Sequence, residues 1–133
     1  RKCAVSNDPV NEYIEKMLTA DAIILGSPTY FADMSAVTKA LVERAGMVSR
    51  ANGDLFRRKL GAAVVAIRRA GAYQVFNTLN AFFLIGQMLV VGSSYWNVGR
   101  GLAVGDVMKD EEGVKTMHDL GENIAWLLNK IHG

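Results

Sequence analysis

Three short runs of unbroken apolar residues interrupt a chain whose other segments are mixed: Ala22-Ile23-Ile24-Leu25-Gly26, Leu60 to Ile67, and Met88 to Val91. None of them alternates apolar with polar, the pattern expected of strands buried on both faces. Between them the apolar positions recur at helical spacing. Asp8 followed by Pro9 marks an N-cap and first-turn proline, since Pro lacks an N–H that is unpaired there anyway, and predicts a helix to about Thr19. Met34, Val37, Leu41, Ala45 and Val48 predict a second helix with Ser35 or Asp33 as its cap. Tyr73, Phe76, Leu79 and Phe83 predict a third, opened by the break at Gly71 and running to about Ile85. A fourth starts at Asp110-Glu111-Glu112, with Val114, Met117, Gly121, Ile124, Leu128 and Ile131 as its apolar stripe.

Helices and apolar strands in strict alternation predict an α/β fold: an open parallel sheet with helices on both faces. The chain is expected to turn sharply at Gly26-Ser27-Pro28. The polar stretch Ser49 to Lys59 reads as a connection. Gly92 to Gly105, with four glycines around Tyr95, Trp96 and Asn97, reads as an irregular loop rather than an element. A three-stranded parallel sheet entered through a helix leaves a strand without neighbours, which predicts further strands upstream of Arg1.

Length and composition narrow the class. With 133 residues, half of them apolar, residues 1–133 fit one domain with a single core. No apolar run approaches the roughly 20 residues that span a bilayer. No signal-peptide pattern opens the chain and the single Cys3 supports no disulfide framework, so a reducing cytoplasm is the expected location. Lys and Arg exceed Asp and Glu by only two, with Arg57-Arg58-Lys59 and Arg68-Arg69 as short clusters, too little for a nucleic-acid footprint. His118 and His132 show no metal or triad spacing and read as surface residues, and the six methionines read mainly as core filling.

In open parallel sheets ligands settle at the carboxyl ends of the strands, where loops splay apart. Three loops occupy that end: Ser27 to Asp33, Arg68 to Ala72, and Ser93 to Gly99. The first joins a small residue and a proline to a hydroxyl and two aromatics. Its backbone N–H groups suit the polar edge of a planar heteroaromatic ring, and Tyr30 and Phe31 suit the apolar edge. Taken alone, Pro28 to Phe31 equally fits a tight turn closing the core. Arg68-Arg69 fits a solvated edge, or guanidinium groups beside a ring and the phosphate of a nicotinamide cofactor. Tyr95 and Trp96 fit packing or a subunit contact.

The succession Ala20-Asp21-Ala22-Ile23-Ile24-Leu25-Gly26-Ser27-Pro28-Thr29-Tyr30-Phe31, then Met34-Ser35 and Lys39-Ala40, resembles the NADPH-dependent FMN reductase family, in its iron-sulfur flavoprotein branch. The likeness continues through Arg68-Arg69-Ala70-Gly71, Ser94-Tyr95-Trp96-Asn97, Asp110-Glu111-Glu112-Gly113 and Asn123 to Leu128. Several motifs in one order outweigh a single short pattern.

The resemblance implies a flavodoxin-like sheet of strand order 2-1-3-4-5, in which the visible strands match the last three and the first two, with the FMN phosphate loop, precede Arg1. It implies FMN as cofactor, held through Ser27, Pro28, Thr29, Tyr30, Phe31, Met34, Arg68, Arg69, Ala70, Gly71 and Trp96. NAD(P)H is the implied co-substrate, a flavin, quinone, nitro compound or protein the electron acceptor, and a homodimer or homotetramer the implied assembly. No side chain is required as acid or base. Cys3 falls where the branch places the last cysteine of a cluster motif, but one cysteine weighs against an iron-sulfur cluster. Two rival readings keep the fold: a flavodoxin-type electron carrier without NAD(P)H activity, against which the slight basic excess argues, and a flavin-free regulatory domain.

Overall fold

A computed structural model describes all 133 residues. Asp8 Oδ1 accepts the Val10 N–H at 3.1 Å, and α1 (Val10–Thr19) follows Pro9. It leads into β1 (Ala22–Tyr30). The expected sharp turn at Gly26-Ser27-Pro28 does not occur. Pro28 sits on the strand edge away from β3, where its missing N–H costs no ladder bond, and β1 runs on to Tyr30. It then reverses through Phe31-Ala32 into the short antiparallel β2 (Asp33–Met34), with Thr29 opposite Met34 and Tyr30 opposite Asp33.

Ser35 caps α2 (Ala36–Ala51) by accepting the Thr38 N–H at 3.2 Å. After the connecting loop, β3 (Leu60–Ile67) pairs in parallel with β1 from Ala22 opposite Leu60 to Pro28 opposite Ala66. Next come α3 (Ala72–Ile85) and β4 (Leu89–Val90). The segment expected to be wholly irregular contains β5 (Val98–Arg100). β4 pairs with the start of β3 and β5 with its end, Val65 opposite Val98 and Ile67 opposite Arg100, so the two are one flanking strand interrupted by a bulging loop. Asn97, almost wholly buried, bridges the interruption. Its Nδ2 donates to the Ala63 carbonyl at 2.9 Å and its own carbonyl accepts the Val65 N–H at 2.9 Å. A glycine-rich stretch with no apolar run hid this strand, because side-chain bonding replaces part of the ladder.

A 3₁₀ turn (Asp106–Lys109) precedes α4 (Glu111–His132). Helices cover both faces. α1, α2 and α3 pack on Ile23, Leu25, Ala63, Val65 and Ile67; α4 packs on Leu60, Ala62 and Val91 through Leu120 and Ile124. The buried row of α4 is Gly113, Thr116, Leu120 and Ile124, rotated from the expected stripe. Gly113 brings the helix within 3.1 Å of the Val98 carbonyl, measured from where a Cβ would stand, and that approach sets the rotation. α4 packs over β3 and its β4/β5 side and meets β1 only at Ala22, so Ile24 of β1 stays 53 % exposed, and β1 is buried on one face rather than the expected two. Val37, Met47 and Met108 also lie on the surface instead of in the core, while Met17, Met34 and Met88 fill it. Both histidines are exposed, as expected.

Gly61 of β3 permits the closest packing in the core. A Cβ there would stand 2.7 Å from two ring carbons of the fully buried Phe83. Gly61→Ala is therefore expected to cost about 1–3 kcal/mol through overpacking. Gly121→Ala, on a helix face with nothing near the new methyl, should gain about 0.5–1 kcal/mol from helix propensity. Urea unfolding of the two variants checks the opposite signs.

Candidate functional site

The ends of β1, β3 and β5 open on one rim, and the sequence-predicted residues divide there into two groups. The first belongs to the β1–β2 hairpin. Ser27 is buried and its hydroxyl is fully engaged, accepting the Ser35 N–H at 2.9 Å and donating to the Pro28 carbonyl at 2.8 Å. It ties β1 to the start of α2. Met34 is buried in the core. What the hairpin presents outward is Tyr30 and Phe31, while Thr29, opposite the buried Met34, turns toward Gly71.

Phe31 and Ala32 form a two-residue turn with φ of 49° and 62°. Left-handed backbone at both central positions is the hairpin geometry usually built from Asn and Gly. Phe and Ala hold it at a cost of about 1–2 kcal/mol per residue. Phe31 is wholly exposed, so no packing within the chain repays that strain. Strain of this kind concentrates at ligand-contacting sites. Behind the turn, the Thr29 Oγ1 is buried without a hydrogen-bond partner, a state that costs about 1–3 kcal/mol.

The second group follows β3. Gly71 has φ of 91°, and a Cβ on it would stand 3.0 Å from the Ala32 Cα and 3.3 Å from the Thr29 Cγ2. This contact joins the two groups: the β3–α3 loop and the hairpin tip touch across a position only glycine fills. Arg68, Arg69 and Ala70 are exposed, and neither guanidinium forms an ion pair. Trp96 lies on the far side of Gly71 from Thr29. Its ring stands 5.4 Å from Tyr73 and 5.1 Å from Tyr95, and the three border a cleft of about 220 Å³ with Arg69, Gly71 and Arg100.

Sequence reasoning missed Tyr73, Arg100 and Asp110 as parts of this cleft. Tyr73 shares a helical face with Phe76, Leu79 and Phe83 by spacing, yet it is 58 % exposed. Arg100 was hidden with its strand. Asp110 starts α4, as its spacing to Gly113 signals, and also reaches β5. Its carboxylate accepts the Arg100 N–H at 2.7 Å and the Gly113 N–H at 3.1 Å, tying β5 to α4. These bonds hold its carboxyl below the ordinary value of 3.8, with the Arg100 amide the larger cause.

From the middle of α2, Arg44 secures the N-terminal segment. It bonds Asp8 at 2.5 Å and the Val5 carbonyl at 2.8 Å, and its Nε donates to Cys3 Sγ at 3.1 Å, which lowers the thiol's pKa.

The matching family model, described as NADPH-dependent FMN reductase, covers residues 1–103. The chain belongs to that family. An iron-sulfur flavoprotein of Methanocaldococcus jannaschii is 38% identical over 98% of this chain, which spans 69% of the relative's length. Among solved structures, the Trp repressor binding protein from Bacillus subtilis superposes with a TM-score of 0.72 at 17% identity, covering 86% of this chain and 71% of its own. RosB, solved with bound 8-demethyl-8-formylriboflavin-5'-phosphate, gives 0.71 at 18% identity, covering 92% and 51%. The fold is flavodoxin-like, and the consecutive order β1, β3, β4/β5 agrees with strands three to five of the expected sheet. Membership places the chain among FMN-dependent oxidoreductases. No helix is long and apolar enough to cross a membrane.

The family's two implied groups meet different donor sets. For FMN, an orphaned buried hydroxyl beside a glycine cradle and two outward aromatics fit a planar ring. A cluster needs several thiolates, and this chain's single cysteine supplies one donor.

The Asp110 cap yields a pH prediction. Its depressed folded-state pKa means that it stabilises the fold above the ordinary carboxylate value and that this contribution is lost as pH falls through the folded value. Asp110→Ala is expected to cost about 1 kcal/mol at pH 7 and progressively less below pH about 4, as urea midpoints at pH 7 and pH 3 will register.

Proposed function

We propose that the chain carries the ring-binding half of an FMN-dependent NAD(P)H oxidoreductase. The observation that supports this most is the unpartnered Thr29 Oγ1 beside Gly71, at the carboxyl end of a parallel sheet whose tip is strained and aromatic. A ring with carbonyl and nitrogen edges supplies the partner that hydroxyl lacks.

Thr29, the backbone of Pro28 and of Arg68 to Gly71, and the side chains of Tyr30 and Phe31 would hold the ring. Ser27 and Met34 act one step behind, fixing the hairpin against α2 and the core. Bound FMN supplies two-electron chemistry, between a reduced nicotinamide and a flavin, quinone, nitro compound or protein acceptor. Arg68 and Arg69 bring unpaired positive charge to the rim, which favours an approaching nicotinamide cofactor with its phosphates. RosB's bound flavin phosphate shows that a neighbour of this fold accepts such a molecule. The homo-oligomer implied by the family belongs to the same proposal, with the exposed Tyr30 and Phe31 available at a seam.

The purified protein is expected to take up FMN and turn yellow, and NADPH added without oxygen is expected to bleach the band. Absence of flavin binding after adding FMN defeats this reading, and a yellow protein that NADPH leaves unbleached favours the electron carrier. Thr29→Val should lower FMN affinity about tenfold while stabilising the flavin-free protein by about 1 kcal/mol, because the orphaned hydroxyl is gone. Tyr30→Ala should weaken FMN binding as well, measured by fluorescence titration.

A further inference from the structure

The cleft beyond Gly71 is distinct from the hairpin: neither Thr29 nor any other hairpin residue lines it. Its walls are Tyr73 from α3, Tyr95 and Trp96 from the loop before β5, and Arg69 and Arg100 from the ends of β3 and β5. At about 220 Å³ it falls below the roughly 300–1,000 Å³ of sites that enclose a drug-sized ligand. It has room for a fused ring system and not for a whole dinucleotide or a flavin with its side chain.

The three aromatic rings lie edge-tilted to one another, at 57° and 53°, and each is more than half exposed. They are a stacking surface that the chain itself does not cover. Four charged groups face the cleft: Arg69, Arg100, Asp110 and Glu112. The Asp110 carboxylate is committed to the backbone amides of Arg100 and Gly113. That leaves two guanidinium groups without an ion-pair partner against the single carboxylate of Glu112. Guanidinium groups beside aromatic faces suit a flat anion, stacking on the ring and pairing with its charged substituent.

We propose that this cleft is a second binding site, for a planar aromatic compound of two or three fused rings bearing one negative charge. Under the oxidoreductase reading, on which this clause alone rests, the occupant is the electron acceptor, seated beside the flavin with the Arg69–Gly71 loop as the shared wall.

The test uses anthraquinone-2-sulfonate as probe and uncharged 2-(hydroxymethyl)anthraquinone as its match. In a Trp126→Phe background Trp96 is the only tryptophan, and its emission reports on the cleft. The sulfonate should quench it saturably at one site and bind at least tenfold more tightly than the uncharged match. Arg100→Gln should bring the sulfonate down to the affinity of the match and leave the match unchanged, and Arg100→Lys should restore part of the difference. In calorimetric titrations, saturating FMN should leave the sulfonate's affinity within twofold.

Equal affinity of the two probes, indifference to Arg100→Gln, absence of saturable quenching, or displacement of the probe by FMN would each overturn the proposal. The quenching arms need no flavin. A protein that takes up no FMN therefore defeats the oxidoreductase reading while the second site is decided on its own.

Discussion

β3 is enclosed on four sides, and that burial is the constraint from which the rest of the structure follows. β1 lies along one edge, β4 and β5 along the other, α3 beneath and α4 above. A strand in that position must be small and apolar throughout. Leu-Gly-Ala-Ala-Val-Val-Ala-Ile satisfies this, and Gly61 lets the ring of Phe83 sit directly on the backbone. With β3 fixed, the ends of β1 and β5 emerge at the same level on either side of its carboxyl end. The hairpin, the Arg68–Gly71 loop and the cleft are consequences of that alignment.

The rim brings strain and unsatisfied polarity together in one short segment, although Asp54, Arg58 and Gln87 also hold positive φ and the Asn80 Oδ1 also lacks a partner. The core meets the hydrogen-bonding needs of Ser27, Ser49 and Asn97, each buried and each bonded to backbone. At the rim the pattern reverses: a buried threonine hydroxyl has no partner, two non-glycine residues hold left-handed backbone, and a phenylalanine faces solvent entirely. Each feature lowers the stability of the isolated chain, and they occur within four residues.

Much of the fold was legible in the sequence because burial leaves a one-dimensional trace. β3 was bounded correctly at both ends, since an eight-residue apolar run between a polar loop and arginines admits few alternatives. Gly71 as a helix boundary and the α/β order followed from local chemistry, and of the two candidate caps Ser35 and Asp33 the structure selects Ser35. β5 was not legible, because its pairing depends on Asn97 and on the neighbouring strand rather than on its own residues. The position of the turn was misread for a related reason. Pro28 at the edge of a sheet is compatible with continued strand, and only knowledge of which edge it occupies tells the two apart.

The sequence by itself determined which residues belong to the family's motifs, the four helices and the apolar strands β1, β3 and β4, because motif order and apolar periodicity are properties of the chain alone. Only the tertiary structure decided how those motif residues divide. Ser27 and Met34 turn inward as supports, the Thr29 hydroxyl is buried beside Gly71, Tyr30 and Phe31 lie on the surface, and Trp96 lines a cleft with Tyr73 and Arg100. The physical reason is that direction and neighbourhood are set by pairing register and by the contact of two loops across a glycine, and neither is encoded in any one segment.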